Sequence, residues 1–220
     1  MKIAIVGGTG NMGFGLGLHF AKVGHEVIIG SRTEDKAQES ANTANRLLEK
    51  AESYKRVKGM ANSEAVKEVD LVIISVPAAA HKVTIESIAD TIKDKNVLDV
   101  TIPMAFKPIR FAPPEAGANA LETLSILGED AKIAAGFHTV SATLLQDPSA
   151  KISGDTLIVG NDKSLKELVI SLANEIGYNG YDAGSLEMSK TVESLTPMLI
   201  GMNKRYGSKH IGIELTGVTK

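Results

Sequence analysis

The sequence predicts an α/β fold: a doubly wound parallel sheet followed by a small C-terminal α/β part that contains a long helix. Three observations carry this expectation. Short apolar runs such as Ile3-Ala4-Ile5-Val6 and Leu71-Val72-Ile73-Ile74 have the length and continuity of strands buried on both faces. Segments with helical spacing separate them, and strands alternating with helices build a parallel sheet covered on both sides. In the last third the pattern changes, and one stripe (Met188, Val192, Leu195, Leu199, Met202, Tyr206) alternates by fours and threes along a single long helix.

The first thirty-two residues set the rest. The run 3–6 is a strand, and a glycine turn follows at once. Met12, Leu16, Phe20 and Val23 then recur at helical spacing until Gly24 stops the helix, and 26–30 forms a second strand. Gly8, Gly10 and Gly13 satisfy G-x-G-x-x-G inside this strand-turn-helix-strand unit. The first two glycines permit a tight turn and a close approach of backbone to a pyrophosphate, and the third lets helix and strand touch. The helix start, at Asn11 and Met12 after Thr9, offers unpaired N–H groups and a positive dipole end to phosphate. This is the dinucleotide turn of a Rossmann-type domain.

The end of the second strand selects the nucleotide. A carboxylate there would bind the ribose 2′-hydroxyl of NAD. This chain instead has Ser31 and Arg32, with Lys36 one helical turn on, a set that attracts a 2′-phosphate. The site reads as NADP-type.

Further along, Thr33 is placed to cap a polar helix running to about residue 51. A strand is expected at 57–60, and a short helix capped by Asn62 ends near 69. A strand over 71–76 closes at Pro77, followed by a helix over 84–92 and a strand over 96–100. Residues 104–118 form a proline-rich loop, 119–127 a helix and 132–136 a strand. The C-terminal part contributes strands at 156–159 and 181–183, a helix over 165–176, the long helix, and a terminal strand at 211–215. The expected division is 1–142 for the nucleotide domain and 143–220 for the smaller one. Ligands of such sheets sit beyond the carboxyl ends of the strands. That singles out Ser75, Val76, Pro77 and Ala78, then Val100 and Ile102, then Gly136, Phe137 and His138. Pro197 interrupts the long helix, so Thr196 and the carbonyl freed beside it are further candidates.

Composition excludes several classes. There is no cysteine, hence no disulfide, thiolate nucleophile or cysteine-ligated metal, and the histidines lack metal-ligand spacing, so no metal is expected. A formal net charge of −2 argues against nonspecific nucleic-acid binding. No apolar run could span a bilayer and the chain opens directly on a strand, so a cytoplasmic protein without membrane attachment is expected. The seam-like stripe on the long helix suggests a homo-oligomer, with a dimer expected.

No acid–base pair accompanies the nucleotide site, although most alcohol or amine dehydrogenases need one. Hydride exchange between two coenzymes needs mainly stacked rings at the right distance. His138, at a strand end on the ligand side, is the candidate positioning residue, and His81 is a weaker one.

The chain resembles the NADPH-dependent reductases of the deazaflavin coenzyme F420 found in archaea and actinobacteria. The matching residues are the turn Gly7-Gly8-Thr9-Gly10-Asn11, then Gly30-Ser31-Arg32 with Lys36, Val76-Pro77, His138-Thr139, Asp182-Ala183-Gly184, and Val192-Glu193-Ser194-Leu195-Thr196-Pro197. The resemblance spans nearly the whole chain, and the Leu-Thr-Pro segment of the last helix is its most specific part. It implies NADP contacts at Thr9, Asn11, Met12, Ser31, Arg32 and Lys36, with a deazaflavin held over the nicotinamide in a cleft against the C-terminal part. Ala78-Ala79-Ala80 stands where bulkier residues are expected in some relatives. Three other readings stay open on the residues alone: a reductase of a small imine or carbonyl, a flavin-linked ferric reductase, and a non-catalytic NADPH sensor. The fold cannot separate them.

Overall fold

A computed structural model describes residues 1–51 and 53–218. Strands β1 (Lys2–Val6), β2 (Glu26–Ser31), β3 (Lys58–Ala61), β4 (Leu71–Ile74) and β5 (Asn96–Asp99) alternate with helices α1 (Asn11–Lys22), α2 (Glu34–Leu48), α3 (Asn62–Ala65) and α4 (His81–Ile92). A hairpin of β6 (Met104–Phe106) and β7 (Ile109–Phe111) follows, then α5 (Asn119–Leu127), β8 (Lys132–Ala135), β9 (Asp155–Gly160), α6 (Lys163–Glu175), β10 (Asn179–Asp182) and α7 (Ser189–Tyr206). The main sheet has eight strands in the order β10-β9-β8-β5-β4-β1-β2-β3.

β1 lies inside the sheet, parallel to both neighbours, with Ile5 opposite Ile29 on one side and Ile73 on the other. Its side chains alternate between two cores. Ile3 and Ile5 pack with Leu16 and Phe20 of α1, while Ala4 and Val6 pack with Ile85, Ile88 and Ile92 of α4. Burying an isoleucine of this kind contributes about 1.5–3 kcal/mol, which fixes the strand register. The register places the ends of β1, β4, β5 and β8 along one edge, where the site lies.

Several expectations need correction. The sheet is not parallel throughout, because β9 runs antiparallel to β8. The segment between them is long enough for a crossover but holds only a short 3-10 turn, Leu144–Gln146, in place of the helix that usually carries a parallel return. The proline-rich segment contains the β6–β7 hairpin, whose three-residue strands are too short to show a period. No strand forms at 211–215. That stretch is an irregular strap fixed to the edge of β9: the Asp155 N–H donates to the Ile213 carbonyl (3.0 Å), and the Leu215 N–H donates to the Asp155 carboxylate (2.6 Å). Thr33 makes no side-chain cap. Asn62 is the first residue of α3, and its Oδ1 accepts instead from the Gly7 N–H at 3.4 Å. Among the described residues no helix is long and apolar enough to cross a membrane, and no cluster of His, Asp and Glu could hold a metal.

Candidate functional site

The turn after β1 is built by its glycines, and they do different jobs. The Gly8 N–H donates to the carbonyls of Ile5 (3.1 Å) and Gly30 (3.0 Å), tying the turn to β2. A Cβ on Gly13 would lie 2.9 Å from both Gly8 Cα and Ser75 Oγ, so this glycine lets α1 lie against the sheet. Gly10 is different. Its φ of −80° and ψ of 160° suit any residue, and an added Cβ would meet nothing closer than the Gly7 carbonyl oxygen at 3.6 Å. The protein does not itself require a glycine there. α1 begins at Asn11 with no side-chain cap, so its first N–H groups point out of the turn uncommitted to any side chain.

A shallow cleft opens beside the turn, lined by Thr9, Asn11, Phe14, Lys36, Glu39, Ser40, Thr43 and Gln146. Ser31 is buried at the end of β2, and Arg32 is exposed directly after it. Among the described residues neither Arg32 nor Lys36 takes part in a salt bridge. Two cations free of salt bridges, with Glu39 on the same cleft, stand beside an uncapped helix start and fit the 2′-phosphate and pyrophosphate of NADP.

A larger cavity of about 510 Å³ lies over the strand ends. It brings together Gly10, Asn11, Met12, Ser75, Val76, Pro77, Ala78, Val100, Ile102, His138 and Thr196, all of them predicted from the sequence. Its far wall is formed, as the expected cleft against the C-terminal part implied, by residues the sequence did not single out: Leu199, Ile200 and Asn203 of α7 and Lys209 and Ile211 of the strap, joined by Met104 and Phe106 of the hairpin. Gly136, Phe137 and Pro197 do not line it. Phe137 is fully buried, edge-on to Phe20 with ring centroids 6.4 Å apart. Its φ of 62° is sterically disfavoured for a residue with a side chain, and a hydrogen bond from its N–H to Thr156 Oγ1 (2.9 Å) helps hold it. That turn sends Phe137 into the core and His138 to the cavity wall. The space left by Gly136 is filled by Ile158, and Pro197 is buried within α7.

His138 is 1% exposed, and neither ring nitrogen has a hydrogen-bond partner. Burial drives its pKa down to about 4, against weaker opposing pulls from Asp99 and the Thr101 backbone. At neutral pH the ring is held uncharged, which favours a positioning role over that of an imidazolium acid. Its carbonyl accepts a hydrogen bond from the Thr196 hydroxyl, which ties α7 to the end of β8.

Beneath the cavity lies a buried polar network that the sequence did not suggest. His81 stands between Asp99 (Nε2 to Oδ2, 2.8 Å) and Glu122 (Nδ1 to Oε2, 2.6 Å). Thr123 donates to Asp99, as do the Thr101 N–H and hydroxyl, and the Asn119 side chain donates to Thr101 Oγ1. Burial alone would lower the His81 pKa, but Asp99 and Glu122 together raise it to about 9, so it is an imidazolium at neutral pH. Burial likewise opposes ionisation of Asp99, yet His81 and its hydroxyl donors hold its pKa below the usual range. Glu193 of α7 accepts from the backbone N–H groups of Asn119 (2.9 Å) and Ala120 (3.0 Å), capping α5. Burial and nearby Asp99 push its pKa up to about 8, and the two N–H donors pull the other way. The available signals were faint: polar Asp99 and Thr101 ending an apolar strand, and Glu193 between Val192 and Leu195 on the stripe.

The sequence and the fold are similar to those of known proteins. Residues 2–103 match the family model described as NADP oxidoreductase coenzyme F420-dependent. The F420-dependent NADP reductase of Methanocaldococcus jannaschii is 40% identical over 223 residues, covering 99% of each chain. The chain belongs to this family. A second F420-dependent NADP reductase, from Methanothermobacter thermautotrophicus, is 34% identical over 99% of this chain and 96% of its own. A crystal structure named for an F420-dependent NADP-reductase of Arthrobacter superposes with a TM-score of 0.81 at 23% identity, over 98% of this chain and 99% of that one. Full-length coverage means that the cavity walls from the hairpin, α7 and the strap belong to the family's chain length and are not an added module.

Proposed function

We propose that the chain transfers hydride between NADP(H) and the deazaflavin coenzyme F420. The observation that carries this is one cavity lined from one side by the phosphate turn and β4 end and from the other by α7 and its strap, with no carboxyl group on its wall among the described residues. A reductase of alcohols or amines needs a proton donor at the reacting atom. Here the titratable side chains at the wall among the described residues are His138, neutral at pH 7, and the exposed Lys209, and the inventory suits two stacked rings.

When bound, the two coenzymes supply the hydride chemistry between their own ring carbons. The chain's residues position them. The α1 N-terminus and Gly10 receive the pyrophosphate, while Ser31, Arg32 and Lys36 receive the 2′-phosphate. Val76, Pro77 and Ala78 bound the nicotinamide side, and Val100 and Ile102 form the floor. His138 orients a ring without moving a proton. Thr196 fixes α7 against the β8 end, so that residues 143–220 act as the part that completes the cleft. The apolar flank of the cavity excludes water from the transfer.

The same reading includes a cytoplasmic homodimer. Its support is the α7 stripe, on which Val192 and Leu199 are buried while Met188 and Tyr206 are 44% and 69% exposed. Sedimentation as a monomer at micromolar concentration would count against the dimer. The test of the activity is stopped-flow absorbance: NADPH bleaches the deazaflavin band, and deuterium at the transferred position of NADPH appears on the deazaflavin carbon. Brisk reduction of an imine or a ferric chelate with no bleaching would sink the reading.

A further inference from the structure

Beneath the strand ends runs a line of charge that ring positioning leaves unused. Asp99 is the last residue of β5, and Thr101, two residues on, lines the cavity. The N–H and the hydroxyl of Thr101 both donate to Asp99 Oδ1. Asp99 Oδ2 meets His81 Nε2 at 2.8 Å, and His81 Nδ1 meets Glu122 Oε2 at 2.6 Å. From the cavity outward the order is therefore negative, positive, negative. Two carboxylates flank one imidazolium, so the triad carries a formal net negative charge, and its member in contact with the cavity wall is also negative.

The fold does not by itself call for these charges. Asp99 is 1% exposed and His81 0%, and a buried ion pair carries a desolvation cost that well-packed apolar side chains avoid. Capping of α5 does not account for the triad, because Glu193 already provides it. The field of Asp99 reaches the wall: it pulls the pKa of His138 upward, although burial outweighs that pull. Lys209, the cation on the wall, is exposed and belongs to the strap on the α7 side, away from β5.

We propose that the Asp99–His81–Glu122 triad is the electrostatic counter-charge of the oxidised nicotinamide. The proposal rests on the reading that the nicotinamide lies over the floor at Val100 and Ile102. Loss of hydride takes the C–H bond at the reacting carbon and both its electrons, and turns a neutral ring into a pyridinium cation. The hydride bonds to the deazaflavin carbon, and a proton from solvent balances the reduced partner. Fixed negative charge below the floor favours the cationic ring over the neutral one without touching either. The triad thus acts on the difference between NADP+ and NADPH, and makes bound NADPH the stronger hydride donor.

The test is isothermal titration of the full chain at neutral pH with NADP+, with NADPH and with 2′,5′-ADP, which has the 2′-phosphate but no nicotinamide. A unit charge about 10 Å from a ring, at an effective dielectric of about 20, shifts an affinity ratio roughly 10–20-fold. Asp99→Asn keeps the shape of the side chain, and should lower the preference for NADP+ over NADPH by roughly 5–15-fold. Glu122→Gln removes the outer charge, whose side chain is 20% exposed and partly screened, and should lower it about threefold. The fragment 2′,5′-ADP should bind both variants within about 1.5-fold of the parent. Single-turnover hydride transfer from NADPH should slow in the same order. Equal weakening of all three ligands would mean that the triad only holds the fold. An unchanged ratio in every variant that folds would mean that its field does not act on the ring. Either result overturns the proposal, and if Asp99→Asn fails to fold, Glu122→Gln decides alone on the same ratio. A parent protein that binds neither NADP+ nor NADPH would refute the functional reading itself, a result distinct from these.

Discussion

Gly10 and Gly13 belong to the same short motif, yet the structure assigns them opposite sensitivities. At Gly10 the backbone angles are ordinary, and an added Cβ would make contacts of 3.6 Å to the Gly7 carbonyl oxygen and 3.9 Å to that of Ser75, both normal packing distances. Gly10→Val should therefore change folding stability by no more than about 1 kcal/mol, since only the weak preference of the helix-start position is lost. For a chain of this size that is a shift in Tm of about 2–4 °C. Gly13→Ala places its Cβ 2.9 Å from the Gly8 backbone and from Ser75 Oγ. Backbone on one side cannot yield cheaply, so overpacking of about 1–3 kcal/mol is expected, roughly 3–10 °C in Tm. Binding should rank the other way. A valine at residue 10 fills the approach to the uncapped α1 start, and losing charge-assisted hydrogen bonds worth about 1.5–3 kcal/mol each weakens NADPH by ~100-fold or more. Differential scanning calorimetry and isothermal titration with NADPH measure both quantities on the same samples. If Gly10→Val binds NADPH like the parent, or melts as low as Gly13→Ala, the assignment of Gly10 to the ligand is wrong.

Other expectations follow from the same geometry. Replacing Arg32 and Lys36 together with alanine should weaken NADPH by ~100-fold and barely affect NADH; equal affinity of the parent for both nucleotides, by calorimetry, would contradict the NADP reading. His138→Ala should lower turnover by ~10–100-fold while keeping the parent's pH profile, because a ring with a pKa of about 4 is already neutral across the working range. Loss of one limb of the profile would make His138 an acid after all. His81 predicts alkaline sensitivity. Its pKa is raised from 6.5 to about 9 in the fold, so its stabilisation is complete below pH 6.5 and disappears as pH rises through 9. The amount is on the order of 3 kcal/mol. Urea denaturation of parent and His81→Gln should show a gap at pH 6.5 that narrows by pH 9.5; a constant gap would mean that His81 is not charged.

Most of the architecture was readable because it rests on local pattern. The runs 3–6 and 71–74 are apolar on both faces, and of the motif glycines Gly8 and Gly10 sit between strand and helix while Gly13 lies in the first turn of α1. The ligand side of β1, β4, β5 and β8 followed from topology alone, which is why Ser75, Val100 and His138 were named correctly as strand-end positions. What escaped depends on contacts between distant residues. In the sequence His81 is only a weaker site candidate, Glu193 is only part of a matching segment, and Asp99 and Glu122 are not singled out; the packing of α4, α5 and α7 around β5 is what brings them together. Phe137 was misjudged because a positive φ at one residue reverses the direction of a side chain. The strap was misread as a strand because Ile211, Ile213 and Leu215 alternate correctly, while after the backbone bond from Asp155 to Ile213 the next N–H, that of Leu215, goes to the Asp155 side chain.

The cap of α5 comes from a residue 74 positions downstream. During synthesis, therefore, β1 to β5 can pair while the two N–H groups at the start of α5 still face water, and they are satisfied only once α7 has been made and docked. That docking also brings Thr196 to the β8 end and the strap to β9. The last helix thus closes the cavity late: the wall that α7 and the strap contribute exists only once the chain has been made past Ile211. Pulsed hydrogen exchange during refolding should show the Asn119 and Ala120 amides gaining protection together with α7, later than β1 and β4.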